Sequence, residues 1–298
     1  MPRQKNLITG PITRAVVAAR EDRPVTVGHS RHAAEGRTPL FDMHYPLEMG
    51  VVLAGRTRRI YRDAWSDCAP GDVWFCGIWE PHGYQILAAP CETLVFVVWP
   101  PLLVNLHWPE APGIHWMAPF VVPVPQRPRV TPDAAGGIVA AAQRAEAAAQ
   151  AAAATRAAHI RLAFLELLLQ VIECDPARDA PAHPSVGAYQ DITPALQLAL
   201  GARRLVTNVE AARACGLSRD RFIRAFRRLM GVSFAKFALR RRLGGAADQL
   251  VNTQAPIKAV AAAWGFTDPS HLHRLFVAHY GCSPRAFRRQ DGGWGNEP

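Results

Sequence analysis

The feature that most constrains the fold of this chain is an internal duplication in its last third. An Arg-x-Phe, a Gly-x-Ser and a Phe recur at a constant offset of 50 residues, and an Ala-Ala pair recurs at the same offset. The first copy carries Ala211, Ala212, Arg224, Phe226, Gly231, Ser233 and Phe237, and the second carries Ala261, Ala262, Arg274, Phe276, Gly281, Ser283 and Phe287. A repeat of this length indicates one supersecondary unit that is used twice.

The first copy predicts two helices that are joined by a tight turn. Thr207 is placed to cap a helix over residues 208–215, and Gly216 supplies the left-handed backbone that ends it. Ser218 then caps a second helix over residues 219–230. Apolar residues at i, i+4 and i+7 of this helix predict a buried stripe of Phe222, Phe226 and Leu229. Arginines crowd its other faces, which suits a helix that enters the major groove of DNA.

The second copy predicts the same two helices around a second turn. An apolar face indicates a helix around residues 257–261, and Gly265 turns the chain. Asp268 is placed to cap the following helix, which begins at Pro269 and runs to about Tyr280. The residues that we expect to face inward from this helix are Leu272, Leu275 and Phe276.

The excess positive charge of the chain lies entirely in this region. Residues 191–290 hold 17 Lys and Arg against 5 Asp and Glu, a net charge of +12, while the rest of the chain holds 17 against 19, a net charge of −2. A generic helical domain with solvated arginines would not need its positive charge concentrated in this way. Such a concentration is expected of a module that binds a polyanion.

One further helix, from Ser233 to about Val251, is predicted to join the two units. At 1.5 Å per residue it spans about 27 Å. That length is close to the ~34 Å of one turn of DNA once the helices that it carries are added. Gly244 and Gly245 each cost about 1 kcal/mol relative to alanine in a helix interior. We therefore expect a soft point or a close helix contact there.

This region resembles the DNA-binding domain of the AraC/XylS family of bacterial transcription regulators. The motifs that carry the resemblance include Cys215-Gly216-Leu217-Ser218, Trp264-Gly265-Phe266 and Gly281-x-Ser283-Pro284. It implies that the two units sit on one linking helix and enter successive segments of the major groove. The base-edge readers that it implies are Asp220, Ile223, Arg224, Pro269, Ser270, His271, His273 and Arg274. Among these, Asp220 accepts only from a base donor such as cytosine N4, and Pro269 offers only apolar contact.

Arginines that lie beside these positions are candidates for contacts to the DNA phosphates. Such contacts give affinity without reading the sequence. The candidates are Arg219, Arg227, Arg228, Arg240, Arg241 and Arg285.

The N-terminal part of the chain has a different pattern. Short apolar runs at 47–53, 73–75, 84–87 and 94–99 alternate with expected turns at Ala54-Gly55, Pro70-Gly71-Asp72, Pro81-His82-Gly83 and Ala89-Pro90. Strands at this spacing favour an antiparallel sandwich or barrel. The stretches 41–48, Pro70-Gly71-Asp72 and Glu80-Pro81-His82 resemble the cupin-like sensor domain that is found N-terminal in many AraC-type regulators. The resemblance implies a barrel that binds a small-molecule effector.

Two interpretations remain open for the polar residues of this domain. The pattern His44-x3-Glu48-x6-Gly55 resembles the first metal motif of true cupins, and His82 stands where their second motif has a histidine. Asp42 occupies the other position of the usual His-x-His pair. One interpretation is an effector pocket lined by His44, Glu48, Trp74, His82 and Tyr84. The other is a site for Fe(II), Mn(II), Zn(II) or Ni(II), held by His44, Glu48 and His82.

The expected fold class is α+β with several domains: an antiparallel cupin-like β-barrel with a helical segment, then an all-α domain with two helix-turn-helix units. We expect the arm and barrel at 1–130, a helical segment for packing or dimerisation at 131–175, a linker at 176–190, the DNA-binding domain at 191–290 and a tail at 291–298.

These patterns predict a sequence-specific DNA-binding transcription regulator that responds to a small molecule. Family habit favours an activator, which makes RNA polymerase a candidate partner beside double-stranded DNA and a second copy of the chain. The alternative is a metal-binding cupin sensor or enzyme domain that is fused to a DNA-binding module. We expect no cofactor and no enzymatic activity. The chain has neither a clear signal peptide nor a long uncharged apolar segment, so we expect it in the cytoplasm, away from membranes.

Overall fold

The computed structural model divides into two compact units. One consists of residues 1–102 and 123–183, and the other of residues 103–122 and 184–298. The segment 103–122, which was expected to belong to the barrel, therefore clusters with the C-terminal unit. The residues that the structure describes are 7–8, 12–14, 19–36, 38–78, 80–104, 106, 108–111, 114, 116–152, 154–176, 192–230 and 232–289. The predicted linker and tail lie almost entirely outside these residues.

The N-terminal unit is built on a seven-stranded sheet. Its strands are β1 (Ile12–Arg14), β2 (Val25–His32), β3 (Leu40–Met43), β4 (Leu47–Tyr61), β5 (Trp65–Cys68), β6 (Val73–Cys76) and β7 (His82–Val98). The pairing path runs β1-β3-β7-β4-β5, with β2 paired to β7 and β6 paired to β4. All of these pairings are antiparallel except that of β1 with β3.

The expected closed barrel is wrong, because the sheet is not closed. Within the described residues, β1 and β5 end the pairing path and do not pair with each other. The reason is the length of β4 and β7, which pair with each other along almost their whole lengths. One end of β4 also pairs with β6 and its other end with β5, while β7 uses its two ends for β3 and β2. Because these two long strands have different partners at each end, the pairing path among the described residues ends at β1 and β5 and does not close into a barrel.

The turns that we expected at Ala54-Gly55 and Ala89-Pro90 lie inside strands. The β4–β7 register shifts three times between Val52 and Thr57, which marks bulges where the pairing is irregular. Gly55 has a φ of +74° there, and an added Cβ would lie 2.4 Å from the carbonyl oxygen of Pro90. Turn residues in a sequence therefore marked bulges here, since a bulge needs the same backbone freedom as a turn. The expected turn at Pro70-Gly71-Asp72 is confirmed by the structure.

Helices complete the N-terminal unit. A helical segment was expected at 131–175, and the structure has two helices there, α3 (Ala135–Ala148) and α4 (Arg156–Glu173), which pack on each other and on β2. Phe164 of α4 is fully buried, with its ring 5.5 Å from that of Phe96 in β7. Two short helices precede them in the chain, α1 (Pro100–Val104) and α2 (Ala118–Val121), and α2 belongs to the segment that clusters with the C-terminal unit. Helices α3 and α4 thus cover one face of the sheet.

The C-terminal unit is helical in the residues described from 192 onward. Its helices are α5 (Thr193–Gly201), α6 (Asn208–Ala214), α7 (Arg219–Met230), α8 (Phe234–Asn252), α9 (Ile257–Ala263), α10 (Pro269–Tyr280) and α11 (Pro284–Arg289). The two predicted helix pairs are α6–α7 and α9–α10, and the predicted joining helix is α8. Among the described residues, no helix is both long and apolar enough to cross a membrane.

Candidate nucleic-acid interface and sensor cluster

The first helix pair begins with the predicted cap and adds a second hydrogen bond to it. The Thr207 hydroxyl accepts from the Glu210 backbone N–H, and the Glu210 carboxylate accepts from the Thr207 N–H at 2.8 Å. Arg204 lies 2.7 Å from the same carboxylate. The bond from the Thr207 backbone, followed by the Arg204 and Thr207 side chains, lowers the pKa of Glu210 to about 2. A reciprocal cap of this kind satisfies two of the free N–H groups at the start of α6.

The two turns have the same backbone geometry. Gly216 and Gly265 both have a φ of +65°. Leu217 N donates to Ala212 O at 2.9 Å, and Phe266 N donates to Ala261 O at 2.9 Å. The duplication in the sequence is therefore a duplication in structure, with the small shift in the turn that the sequence shows.

Each second helix buries its predicted stripe and exposes its predicted reading face. Phe222 and Phe226 of α7 are fully buried, as are Leu272 and Phe276 of α10, while Leu275, which was also expected to face inward, is half-buried. Leu229 lies outside the side chains that the structure describes. Exposed positions are Asp220, Arg224, Pro269, Ser270, His273 and Arg274, while Ile223 and His271 are half-buried. Asp268 accepts from the His271 N–H at 2.7 Å and so caps α10 as expected.

The candidate phosphate contacts are less uniform. Arg219, Arg227, Arg228, Arg240 and Arg285 are exposed. Arg241 is half-buried, donates from Nε to Leu200 O at 3.0 Å, and lies 5.2 Å from the Trp264 ring. Its guanidinium is thus already engaged within the unit, which the sequence did not indicate.

The two helix pairs attach to α8 by different chemistry. The first packs through aromatic rings, with Phe226 5.2 Å from Phe234 and 5.8 Å from Phe237. The second is held by Arg242, which donates from Nε to Trp264 O at 2.8 Å and from Nη2 to Gly265 O. Arg242 is only 4% exposed, and burial lowers its pKa. No sequence pattern assigned a role to Arg242.

A second set of polar residues lies inside the N-terminal sheet, around Glu48. We call it the Glu48 cluster; its members are Asp42, His44, Glu48, Arg59, Trp74, Cys76 and His82. Glu48 accepts from Trp74 Nε1 at 2.7 Å and from Arg59 Nη2 at 2.9 Å on one carboxylate oxygen. Its other oxygen lies 3.2 Å from His44 Nε2 and 3.5 Å from His82 Nε2.

The two histidines of the cluster are oriented by backbone carbonyls. His44 Nδ1 lies 2.8 Å from Pro46 O, and His82 Nδ1 lies 2.7 Å from Glu80 O. A carbonyl only accepts, so both Nδ1 atoms carry hydrogen. Both Nε2 atoms consequently face the carboxylates, with Asp42 2.7 Å from His82 Nε2.

In this cluster, neighbouring charged groups shift the pKa values more strongly than burial does. Burial alone raises the pKa of Glu48, but His82, His44 and Arg59 hold it well below its usual value. Burial alone lowers the pKa of His82, but Cys76, Asp42 and Glu48 hold it well above its usual value. The interior of the sheet therefore contains ionised groups that stabilise one another.

The structure brings together most of the predicted pocket residues. His44, Glu48, Trp74 and His82 meet in the cluster, while Tyr84 contacts it through Arg59, 5.8 Å from its ring centre. Sequence reasoning missed Arg59. Glu48 and Arg59 are eleven positions apart on β4, which places them on opposite faces of a regular strand. The bulges between Val52 and Thr57 bring both to the same side.

In sequence, known proteins match residues of the C-terminal unit. A family model described as a helix-turn-helix domain matches residues 211–290. A curated protein from Haemophilus influenzae, an uncharacterized HTH-type transcriptional regulator, is 31% identical over 80 residues, which is 27% of each chain. The match therefore spans about a quarter of that relative's length.

Solved structures extend the likeness. An AraC-type DNA-binding regulator from Chromobacterium violaceum is 26% identical and covers 37% of this chain and 98% of its own, with a TM-score of 0.35. ToxT from Vibrio cholerae O395 covers 91% of this chain and 99% of its own, with 9% identity and a TM-score of 0.53. The likeness to ToxT is one of fold. Residues 211–290 therefore match a helix-turn-helix domain, and the chain shares with ToxT a fold in which a β-rich N-terminal domain precedes a helical C-terminal domain.

Proposed function

We propose that the chain binds double-stranded DNA sequence-specifically, by placing α7 and α10 in two segments of the major groove, and that a small molecule in the N-terminal domain regulates this binding. One observation carries the proposal. Arg224 and Arg274 stand at equivalent positions of the two copies of the repeated unit, both exposed, on helices whose opposite faces are fully buried. Arginine pairs with guanine O6 and N7 through two hydrogen bonds, which suits it to base reading.

The charge of the region supports DNA as the partner. The net charge of +12 over residues 191–290 includes five exposed arginines among the candidate phosphate contacts. Neutralised phosphates release counterions, so such binding weakens steeply as salt rises. We expect the phosphate contacts to supply most of the affinity and the reading faces to supply the sequence preference.

Substitution of the two reading arginines tests this proposal. Duplexes selected by the full chain from a randomised library would provide the specific DNA, and unselected duplexes the reference. Arg224→Ala and Arg274→Ala should each lower the preference for selected over unselected DNA by about 1–3 kcal/mol. Arg213→Ala is the matched control, because Arg213 is exposed in the same unit but lies on α6. Equal loss on both kinds of DNA would contradict base reading by these arginines.

The Glu48 cluster is the candidate effector site. Its groups are buried except on the side of Asp42, whose side chain is 30% exposed. Arg59 Nε has no hydrogen-bond partner among the described residues, and Arg59 lies 4.4 Å from the Trp74 ring centre. A donor beside an aromatic wall suits a small molecule with an oxygen acceptor. ToxT, which shares the fold, has been crystallised with (E)-4-(8-methylnaphthalen-1-yl)but-3-enoic acid, a carboxylic acid.

Effector binding has a direct test. A panel of small carboxylic acids would be screened for a rise in the melting temperature of the full chain, as expected for a ligand that binds the folded state. Any acid that raises it should lose that effect in Arg59→Met. Regulation further requires that the same acid change the affinity for selected DNA. An acid that stabilises the protein and leaves DNA affinity unchanged would contradict the regulatory part of the proposal.

Activation of transcription, contact with RNA polymerase and pairing of two chains complete the proposal. The support for activation is family habit. For pairing, the support is α4, where Leu162 is 60% exposed on the face away from the buried stripe. Light scattering of the full chain would give the mass of two chains if α4 pairs, and Leu162→Glu would reduce it to one.

A divalent metal in the Glu48 cluster is a second candidate function, favoured by the donor geometry. Ligand atoms of Asp42, His44 and His82 lie within 4.8 Å of one another, as do those of Glu48, Cys76 and His82. Both histidines already donate from Nδ1 to a carbonyl, which is the usual support of a metal-binding imidazole. The donor set therefore fits an ion such as Fe(II), Mn(II), Zn(II) or Ni(II).

Metal analysis decides between this second candidate and a metal-free site. Purified full-length protein should contain about one equivalent of a transition metal, and His44→Ala should lose it. Retention of the metal by His44→Ala would place it elsewhere. Protein without metal that also fails to take up Zn(II) or Mn(II) in titration would rule out the metal site.

A further inference from the structure

One face of α8 contacts the turn of the second helix pair. Arg242, Gly245 and Gln249 follow one another at i, i+3 and i+7, so they share that face. All three contact Trp264. The turn itself, Trp264-Gly265-Phe266, joins α9 to α10 and therefore sets the direction in which α10 begins.

Hydrogen bonds hold this turn in a fixed direction. Arg242 donates to the carbonyl oxygens of Trp264 and Gly265, and its guanidinium lies 4.3 Å from the Phe266 ring centre. Gln249 accepts from Trp264 Nε1 at 2.8 Å. Two adjacent carbonyls are thus bound by one planar fork. A fork of this kind constrains orientation as well as distance.

Close packing holds the same turn from two sides. A Cβ on Gly245 would lie 2.0 Å from the Trp264 ring, so the ring rests directly on the α8 backbone. A Cβ on Gly265 would lie 2.8 Å from Arg204 Cα. The turn is therefore wedged between α8 and the chain that precedes α6.

The first turn is less closely packed at its glycine. A Cβ on Gly216 would meet nothing within 4 Å. The first pair attaches to α8 through aromatic rings, as described above for Phe226 with Phe234 and Phe237. Apolar contacts lack the directionality of hydrogen bonds and permit small shifts. The position of α10 relative to α8 is consequently more tightly specified than that of α7.

We propose that Arg242 is a positioning residue that sets the spacing between the two DNA segments read by α7 and α10. The proposal rests on the proposed function, in which both helices read DNA. Arg242 is buried and so holds the turn without touching DNA itself. A tilt of about 25° at the turn moves Arg274, ~8 Å from the start of α10, by about 3 Å, which is close to the rise of one base pair.

A spacer series tests the proposal. The full chain would select duplexes from a randomised library, and one base pair would then be inserted or removed between the two segments that the bound chain protects. The wild-type chain should lose about tenfold or more in affinity on either changed spacer, a loss of the size that one mismatched base pair causes. Arg242→Met should bind the original spacer more weakly and reduce the loss to about threefold or less, because α10 adjusts to the changed spacing.

Arg240→Met is the matched control. Arg240 lies on the same helix and is exposed. Loss of a phosphate contact there should lower affinity equally on all spacers and reduce the salt slope by about 1. If Arg242→Met behaves like Arg240→Met, or keeps the full wild-type discrimination while folded, the positioning role is refuted.

Two further variants keep the test decisive if Arg242→Met does not fold. Arg242→Lys retains charge and stem but lacks the fork, and it should also flatten the spacer preference. Gly245→Ala pushes the Trp264 ring away from α8, and it should move the preferred spacer. Unchanged preferences in both folded variants would refute the proposal. A wild-type chain that selects DNA but ignores spacer length would instead contradict reading by both helices.

Discussion

Gly216 and Gly265 share one backbone conformation but have different surroundings. Both turns need a φ of +65°, which an L-residue adopts at a cost of roughly 1–2 kcal/mol. The space around Gly216 is open, while a Cβ at Gly265 meets the backbone of Arg204 at 2.8 Å. In the first turn the glycine therefore provides only the left-handed backbone conformation, whereas in the second it also avoids a clash with the backbone of Arg204. The difference is invisible in the sequence, because it depends on what packs against the turn.

Alanine at each glycine should separate these two roles. Gly216→Ala should lower the free energy of unfolding by about 1–2 kcal/mol, from backbone strain alone. Gly265→Ala should lower it by about 1–3 kcal/mol more, because the backbone contact adds overpacking. Urea denaturation of the full chain, followed in the C-terminal unit, measures both. Equal losses would show that the Arg204 contact relaxes freely.

Glu210 should make the start of α6 sensitive to acid. Its folded-state pKa of about 2 lies below the ordinary value of 4.5, so its stabilising effect is present above about pH 4.5 and is lost as the pH falls toward 2. Wild-type protein should be more stable than Glu210→Gln at neutral pH, and the two should converge in acid. Thermal melting across this range is the measurement. A constant difference down to about pH 2 would contradict the role of the ionised carboxylate.

At the scale of elements, β4, β6 and β7 are joined by the Glu48 cluster as well as by backbone pairing. Glu48 and Arg59 lie on β4, Trp74 on β6 and His82 on β7. Their contacts therefore cross three strands. The periodicity of the sequence revealed the strands, but their lengths and the bulges of β4 determined which side chains meet.

Removing one member of the buried Glu48–Arg59 pair should be costly. Arg59→Met leaves the Glu48 carboxylate buried with one cation fewer, and a loss of about 3–5 kcal/mol in unfolding free energy is expected. Glu48→Gln in the same background should recover part of it, because no unpaired charge remains. Chemical denaturation of both singles and the double variant gives the coupling energy. Additive losses would mean that the two groups do not stabilise each other.

At the scale of the whole molecule, charge is divided unevenly between the two ends of the chain. Residues 191–290 carry a net charge of +12 and the remainder −2. Binding to DNA should therefore depend on salt through the C-terminal unit alone. Salt weakens the contacts to the DNA phosphates, which do not read the sequence.

A paired substitution tests that division. Arg227→Gln with Arg228→Gln should reduce the slope of log affinity against log salt by about 2, since each lost phosphate contact contributes about 0.9. Arg144→Gln with Arg156→Gln removes the same charge from exposed sites on the N-terminal unit and should leave the slope unchanged. Similar slopes for both double variants would place the phosphate contacts elsewhere.

The sequence by itself determined the C-terminal architecture. Local signals, namely caps, turn glycines and apolar spacing, fix each helix, and the repeat confirms each signal a second time. Tertiary structure alone decided three other features: the open sheet, the approach of Arg59 to Glu48, and the clamp of Arg242 on the second turn. Each depends on contacts between residues far apart in the chain. Strand length, bulges and the packing of a ring on Gly245 control those contacts, and no local pattern encodes them.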